Sequence, residues 1–123
     1  MSSSQQAEAH LCGRLYAVLA ALQSLGAPPS KRTLAKEGAS ARASRNPYEH
    51  LHRHLQAMGG YFVDARKRGH GDLATELLRS VPDLLPPGGK ELPRTFGHAQ
   101  VEEFFRGLQS EQAAQRKAHA SLA

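Results

Sequence analysis

The chain has 123 residues, enough for one hydrophobic core and too few for two independent ones. Apolar residues make up 40% but aromatics only 6%, with no Trp, so the interior must be built mainly from Leu and Ala, side chains that helices tolerate well. Sixteen Lys and Arg against eleven Asp and Glu leave a formal charge of +5, which points to an anionic partner.

Ser3 or Ser4 can cap a first helix, in which Leu11, Leu15, Val18, Leu19, Leu22 and Leu25 recur at the three-and-four spacing of one helical face. Gly26 is placed to supply a left-handed C-terminal residue, and Pro28 and Pro29 bar continuation. Ser30 can cap a short second helix through about Glu37, with Leu34 as its one large apolar residue. The segment from Gly38 to Arg45 is small, polar and basic, and reads as an ordered loop or a flexible arm. Asn46 then caps a third helix, with Pro47 at its first position and Glu49 completing a capping box. Its core stripe is Tyr48, Leu51, Leu55, Met58 and Phe62, interrupted by Gly59 and Gly60 as a kink or a place of close backbone approach.

Gly69 and Gly71 separate this element from a fourth helix, capped by Asp72, carrying Leu73, Leu77, Leu78 and Val81 and stopped by Pro82. From Pro82 to Pro93, four prolines and two glycines in twelve residues demand a long irregular connection. A last helix starts near Phe96 and presents Val101, Phe104, Phe105 and Leu108 on one side. It fades into a polar tail, Glu111 to Ala123, that either projects outward or packs on a partner. With no strand pattern and no internal repeat, the expectation is an all-α protein: one four- or five-helix bundle over residues 1–123, with a long Pro/Gly-rich connection before the last helix.

Catalytic chemistry finds little support. His50 and His54 share a helical face and could chelate a metal, but no third ligand is near and Leu51 stands where a zincin motif needs Glu. The cluster reads as solvated or phosphate-facing, and neither metal nor cofactor is expected. Cys12 lies on an apolar helix and reads as a small core residue, and the single cysteine excludes a disulfide framework. No P-loop, GxSxG or dinucleotide fingerprint is present, and Glu102 and Glu103 diverge on a helix; the chain is not expected to be an enzyme. The stretch from Leu11 to Leu25 is broken by Gly13, Arg14, Gln23 and Ser24, so neither a signal peptide nor a membrane span is expected, and the setting is a reducing cytoplasm.

The basic residues are better organised. Lys31 and Arg32 open the second segment, Arg42 and Arg45 fall in the basic stretch, Arg53 joins the histidines, and Arg66, Lys67 and Arg68 end the third helix. Cations at a helix C-terminus favour the macrodipole, which accounts for the last three but not for the basic stretch upstream. Arg outnumbers Lys eleven to five, and a planar guanidinium grips phosphate through two parallel hydrogen bonds. No recognition helix or aromatic-rich sheet is evident, so contact with sugar-phosphate backbone is expected rather than base reading.

Four stretches also carry a family resemblance: LCGRLYAVLAALQ (Leu11 to Gln23), GASARASRNPYEHLHRHL (Gly38 to Leu55), DLATELLRSVP (Asp72 to Pro82) and HAQVEEFFRGLQSEQAAQRKA (His98 to Ala118). In that order they resemble the C-terminal helical domain of the large subunit of type I-C CRISPR Cascade complexes, which is also made separately as a small subunit. The resemblance implies a non-catalytic helical subunit that lines the guide RNA and supports the displaced DNA strand in R-loop formation. Its implied partners are guide RNA, target and non-target DNA strands, and other Cascade subunits: backbone subunits, the large subunit and another copy of itself. In such complexes base pairing reads sequence while protein cations hold backbone. Arg42, Arg45, Arg53 and His54 fall at matching positions; the family is often small or apolar where Arg42 and Arg45 stand, and Gly59 and Gly60 have no counterpart. A reading of a different class is a helical adaptor or inhibitor that binds only protein, which would expose an apolar patch around Phe104 and Phe105.

Overall fold

The computed structural model describes residues 3–122, with side chains from 4 to 118. It contains five α-helices: α1 (Ser3–Gly26), α2 (Ala39–Arg45), α3 (Pro47–Lys67), α4 (Gly71–Leu84) and α5 (His98–Leu122). Short 3-10 turns fall at Pro29–Lys31, Thr33–Ala35 and Pro87–Gly89, and no strand occurs among the described residues. The architecture is the expected helical bundle.

Helix α1 is the axis. Leu15, Val18, Leu19 and Leu22 of its stripe are buried, and so are Ala9, Cys12, Tyr16 and Ala17 on other sides, so the helix is enclosed round most of its circumference by α3, α4 and α5. A helix apolar all round is the mark of a central element. Its closest neighbour is α5, which runs parallel to it: His10 meets Glu103, Arg14 meets Glu111, and the Gln115 amide donates to the Ala17 carbonyl. Two glycines make this crossing close. A Cβ on Gly13 would fall on the Phe104 carbonyl, and one on Gly107 on the His10 carbonyl, so each backbone lies in the gap the other leaves.

Several local expectations are corrected. Gly26 ends α1, but its φ is not positive; its missing side chain instead makes room for Asp64 and Ala65 of α3, whose nearest atoms would stand 2.8 and 2.9 Å from an added Cβ. Residues 30–37 form no α-helix, only two 3-10 turns bent so that Leu34 inserts into the core. The stretch expected as a loop is mostly helix α2, a short element that buries Ala43 and Ser44 and takes its place by packing rather than by propensity. Asn46 makes no side-chain cap, and the Tyr48 N–H is taken instead by the Pro93 carbonyl at 2.9 Å. Gly59 and Gly60 neither break α3 nor admit another backbone, since a Cβ added at either would meet no neighbouring element within 4 Å. Helix α1 already includes Ser3 and Ser4, the residues expected to cap it, and the Ser3 side chain lies outside the described ones.

The end of α3 is a Schellman motif. Gly69 has φ +87°, its N–H donates to the Arg66 carbonyl and the His70 N–H to the Ala65 carbonyl. Asp72 then lies inside the first turn of α4 rather than capping it. Pro82 does not stop α4, which continues to Leu84 because Leu84 and Val81 are both buried. The connection that follows is ordered by Leu92 and Phe96, both buried, and by the Phe96 N–H on the Arg45 carbonyl. Helix α5 starts at His98 rather than Phe96, and its polar stretch lies along α1 of its own chain as far as Gln115 instead of leaving the bundle at Glu111.

Candidate nucleic-acid interface

The cations expected to bind phosphate gather mainly in two clefts on one side of the bundle. The first, about 410 Å³, is lined by Lys31, Lys67 and Arg68 together with Asp64, Gln23 and Tyr61. The second, about 220 Å³, is lined by Arg42, Arg53 and Lys36 with His50, His54 and Thr33, and no carboxylate lines it. Local structure explains the gathering. The 3-10 turns place Lys31 beside the C-terminal turn of α3 and Lys36 beside α2, while α2 faces the first half of α3 and presents Arg42 to Arg53.

A chain of hydrogen bonds forms the wall between the clefts. The buried Gln23 amide donates to Thr33 Oγ1 at 2.9 Å and to Tyr61 Oη at 3.2 Å, while its carbonyl oxygen accepts the Leu34 N–H. Tyr61 Oη in turn meets Nδ1 of His54 at 2.7 Å. His54 is only 6% exposed, and burial first, then the charges of Arg53 and His50, hold its pKa below the usual imidazole value. Beneath the second cleft, Tyr16 donates to the Leu34 carbonyl; burial pushes its hydroxyl up to about 12 despite the opposing pull of Arg42.

The other expected residues stand apart. Arg32 donates through Nε to the Ala27 carbonyl at 2.9 Å and braces the α1 exit. Arg66 packs over Phe62 and against Gly71, on the side of α3 turned to α4. Arg45 is exposed at the end of α2 and lines neither cleft. His52 leaves the histidine cluster to stack on Tyr48, 4.7 Å between ring centres, and Arg94 sits 4.1 Å above the same ring.

Ion pairing distinguishes Arg14, Arg94 and Arg106 from these cations. Among the described residues the ion pairs are His10–Glu103, Arg14–Glu111, Arg94–Glu91, His98–Glu102 and Arg106–Glu103, and none involves a cation between residues 27 and 79. Positive side chains without carboxylate partners, collected in concave ground, focus a field that attracts anions. Lys36, Thr33, Gln23 and Tyr61 escape the sequence reading as binding residues. A polar Gln23 inside the apolar stripe of α1 is the signal that could have found the wall.

Other candidate chemistry is not assembled. Burial, helped by Glu8, pushes the Cys12 thiol up to about 12, which leaves almost no thiolate near neutral pH. No group of three or more His, Cys, Asp or Glu side chains poised for a metal occurs among the described residues. Phe104 is fully buried and Phe105 half-buried, so the apolar patch that a protein adaptor would expose on α5 is missing there; among the described residues Val63 is the one exposed large apolar side chain. No helix is long and apolar enough to cross a membrane among the described residues. No family model, characterised protein or solved structure matches this chain.

Proposed function

We propose that this chain is a non-catalytic, nucleic-acid-facing subunit that holds sugar-phosphate backbone across the two basic clefts. The observation that carries the reading is the gathering of Lys31, Arg42, Arg53, Lys67 and Arg68 along one wall, with Asp64 the single carboxylate in either lining. Two guanidiniums in one cleft suit the paired hydrogen bonds that a phosphate accepts, and no feature of the clefts reads base edges. With the family resemblance, the natural setting is a small subunit of a type I CRISPR effector in the cytoplasm, bound to guide RNA and to other subunits and steadying the displaced DNA strand while the R-loop forms.

The test is binding of single-stranded RNA and DNA as salt is raised. The logarithm of the association constant should fall linearly with the logarithm of salt, with a slope of roughly 0.7 per phosphate neutralised. Arg42→Ala with Arg53→Ala should lower affinity and shallow that slope, and Arg42→Ala should reduce R-loop yield when the chain is supplied to a reconstituted effector. Affinity indifferent to salt, or to both substitutions, overturns the proposal.

A further inference from the structure

The wall between the clefts does more than separate them. A tyrosine hydroxyl has one hydrogen to give. Tyr61 Oη accepts the Gln23 amide hydrogen and lies 2.7 Å from Nδ1 of His54, so its own proton is free to be donated to that nitrogen. When Tyr61 donates, Nδ1 is the unprotonated nitrogen and the proton of the neutral ring sits on Nε2, the nitrogen not engaged by Tyr61. The same logic applies to Thr33, whose Oγ1 accepts from Gln23 and so keeps its hydroxyl hydrogen to donate. His54 and Thr33 both line the second cleft, beside Arg42, Arg53 and Lys36. Every polar group so oriented there is a donor.

We propose that this second cleft is a discrete oxyanion pocket that takes one phosphate group, with His54 as a neutral Nε2–H donor on its floor. Gln23 and Tyr61 act as positioning residues that fix the imidazole tautomer without touching the anion. The inference rests on the phosphate-backbone reading and deepens it: one phosphate of a bound strand seats in this pocket, while the cleft of Lys31, Lys67 and Arg68, with Asp64 in its lining, supplies a looser attraction. A cleft walled by arginines alone would attract any polyanion through charge; donors fixed by a hydrogen-bond chain add a preference for a tetrahedral anion over chloride.

The experiment is a titration of the full chain with inorganic phosphate at constant ionic strength, followed by two-dimensional NMR. Backbone signals from Thr33, Arg42, Arg53 and His54 should move together and saturate, and chloride should not reproduce the pattern. Long-range proton–nitrogen correlation should show His54 as the Nε2–H tautomer. Tyr61→Phe should weaken phosphate about fivefold and mix the two tautomers, since it removes one neutral hydrogen bond. Arg53→Ala should weaken it at least tenfold while leaving the tautomer unchanged. An Nδ1–H tautomer in the unaltered chain overturns the pocket, as does a phosphate response spread equally over both clefts or a Tyr61→Phe variant, folded by its spectrum, that binds as well as the parent. Polynucleotide binding measured alongside keeps the two claims apart. Saturable phosphate binding with no affinity for RNA or DNA upholds the pocket and removes the broader function, whereas strong salt-dependent RNA binding without a phosphate site does the reverse.

Discussion

The burial of His54 carries a consequence for stability. In the unfolded chain an imidazole takes up a proton near pH 6.5, whereas burial and then Arg53 and His50 lower that value in the folded protein. Folding therefore favours the neutral ring. Its contribution is complete above about pH 6.5 and is lost as pH falls from that value through the lower folded one, because the unfolded state gains the proton first. The urea midpoint should be lower at pH 5.5 than at pH 7.5, and His54→Gln should reduce that drop; equal drops in both proteins would assign the acid sensitivity elsewhere. At this scale the sequence made Arg42, Arg53 and His54 legible, because charge is a property of the residue itself. It hid Gln23 and Tyr61, whose roles exist only once α1 and α3 meet.

Glycines show how the same residue acts differently in different elements. Gly13 and Gly107 lie where α1 and α5 touch, and an added methyl at either collides with a carbonyl of the other helix. Gly13→Ala should cost about 3 kcal/mol in denaturant unfolding, since the two backbones would have to part. Gly59 lies on the exposed side of α3 with open space around it, so Gly59→Ala should add about 0.8 kcal/mol through helix propensity alone. A sequence pattern cannot separate these cases, because each glycine sits within a helical period and only the neighbour decides. Long helices were readable for the complementary reason that their apolar spacing repeats over several turns.

Helix α2 was not readable in that way, with buried faces made of Ala43 and Ser44 rather than large side chains. An isolated helix this short is unstable in water, so its order depends on the connection that presses Phe96 and the Arg45 carbonyl contact against it. Phe96→Ala should cost about 3 kcal/mol and speed amide exchange through Ala39–Arg45. Exchange in α2 unchanged beside a destabilised core would mean that it is held from elsewhere.

Across the whole molecule, charge is sorted as well as abundant. Arg14 of α1 and Arg106 of α5 are tied to carboxylates, while Lys36, Arg42 and Arg53 line a cleft that has no carboxylate in its lining. Arg14→Ala and Arg106→Ala should therefore leave affinity for a polynucleotide within about twofold, although each removes the same formal charge as Arg53→Ala. A loss as large as that of Arg53→Ala would mean that net charge matters and its arrangement does not. The total of +5 was plain from the sequence, but its sorting was not, because partners such as Arg14 and Glu111 are 97 positions apart.

That separation also bears on how the protein is made. As the chain leaves the ribosome, α1 emerges first, yet the side that receives Phe104 and Gly107 has nothing to cover it until α5 has been synthesised. The axis of the bundle must wait, with Leu and Ala exposed, until α5 has been made. Contacts so distant along the chain are slow to close and leave the nascent polypeptide open to aggregation or chaperone capture in the interval.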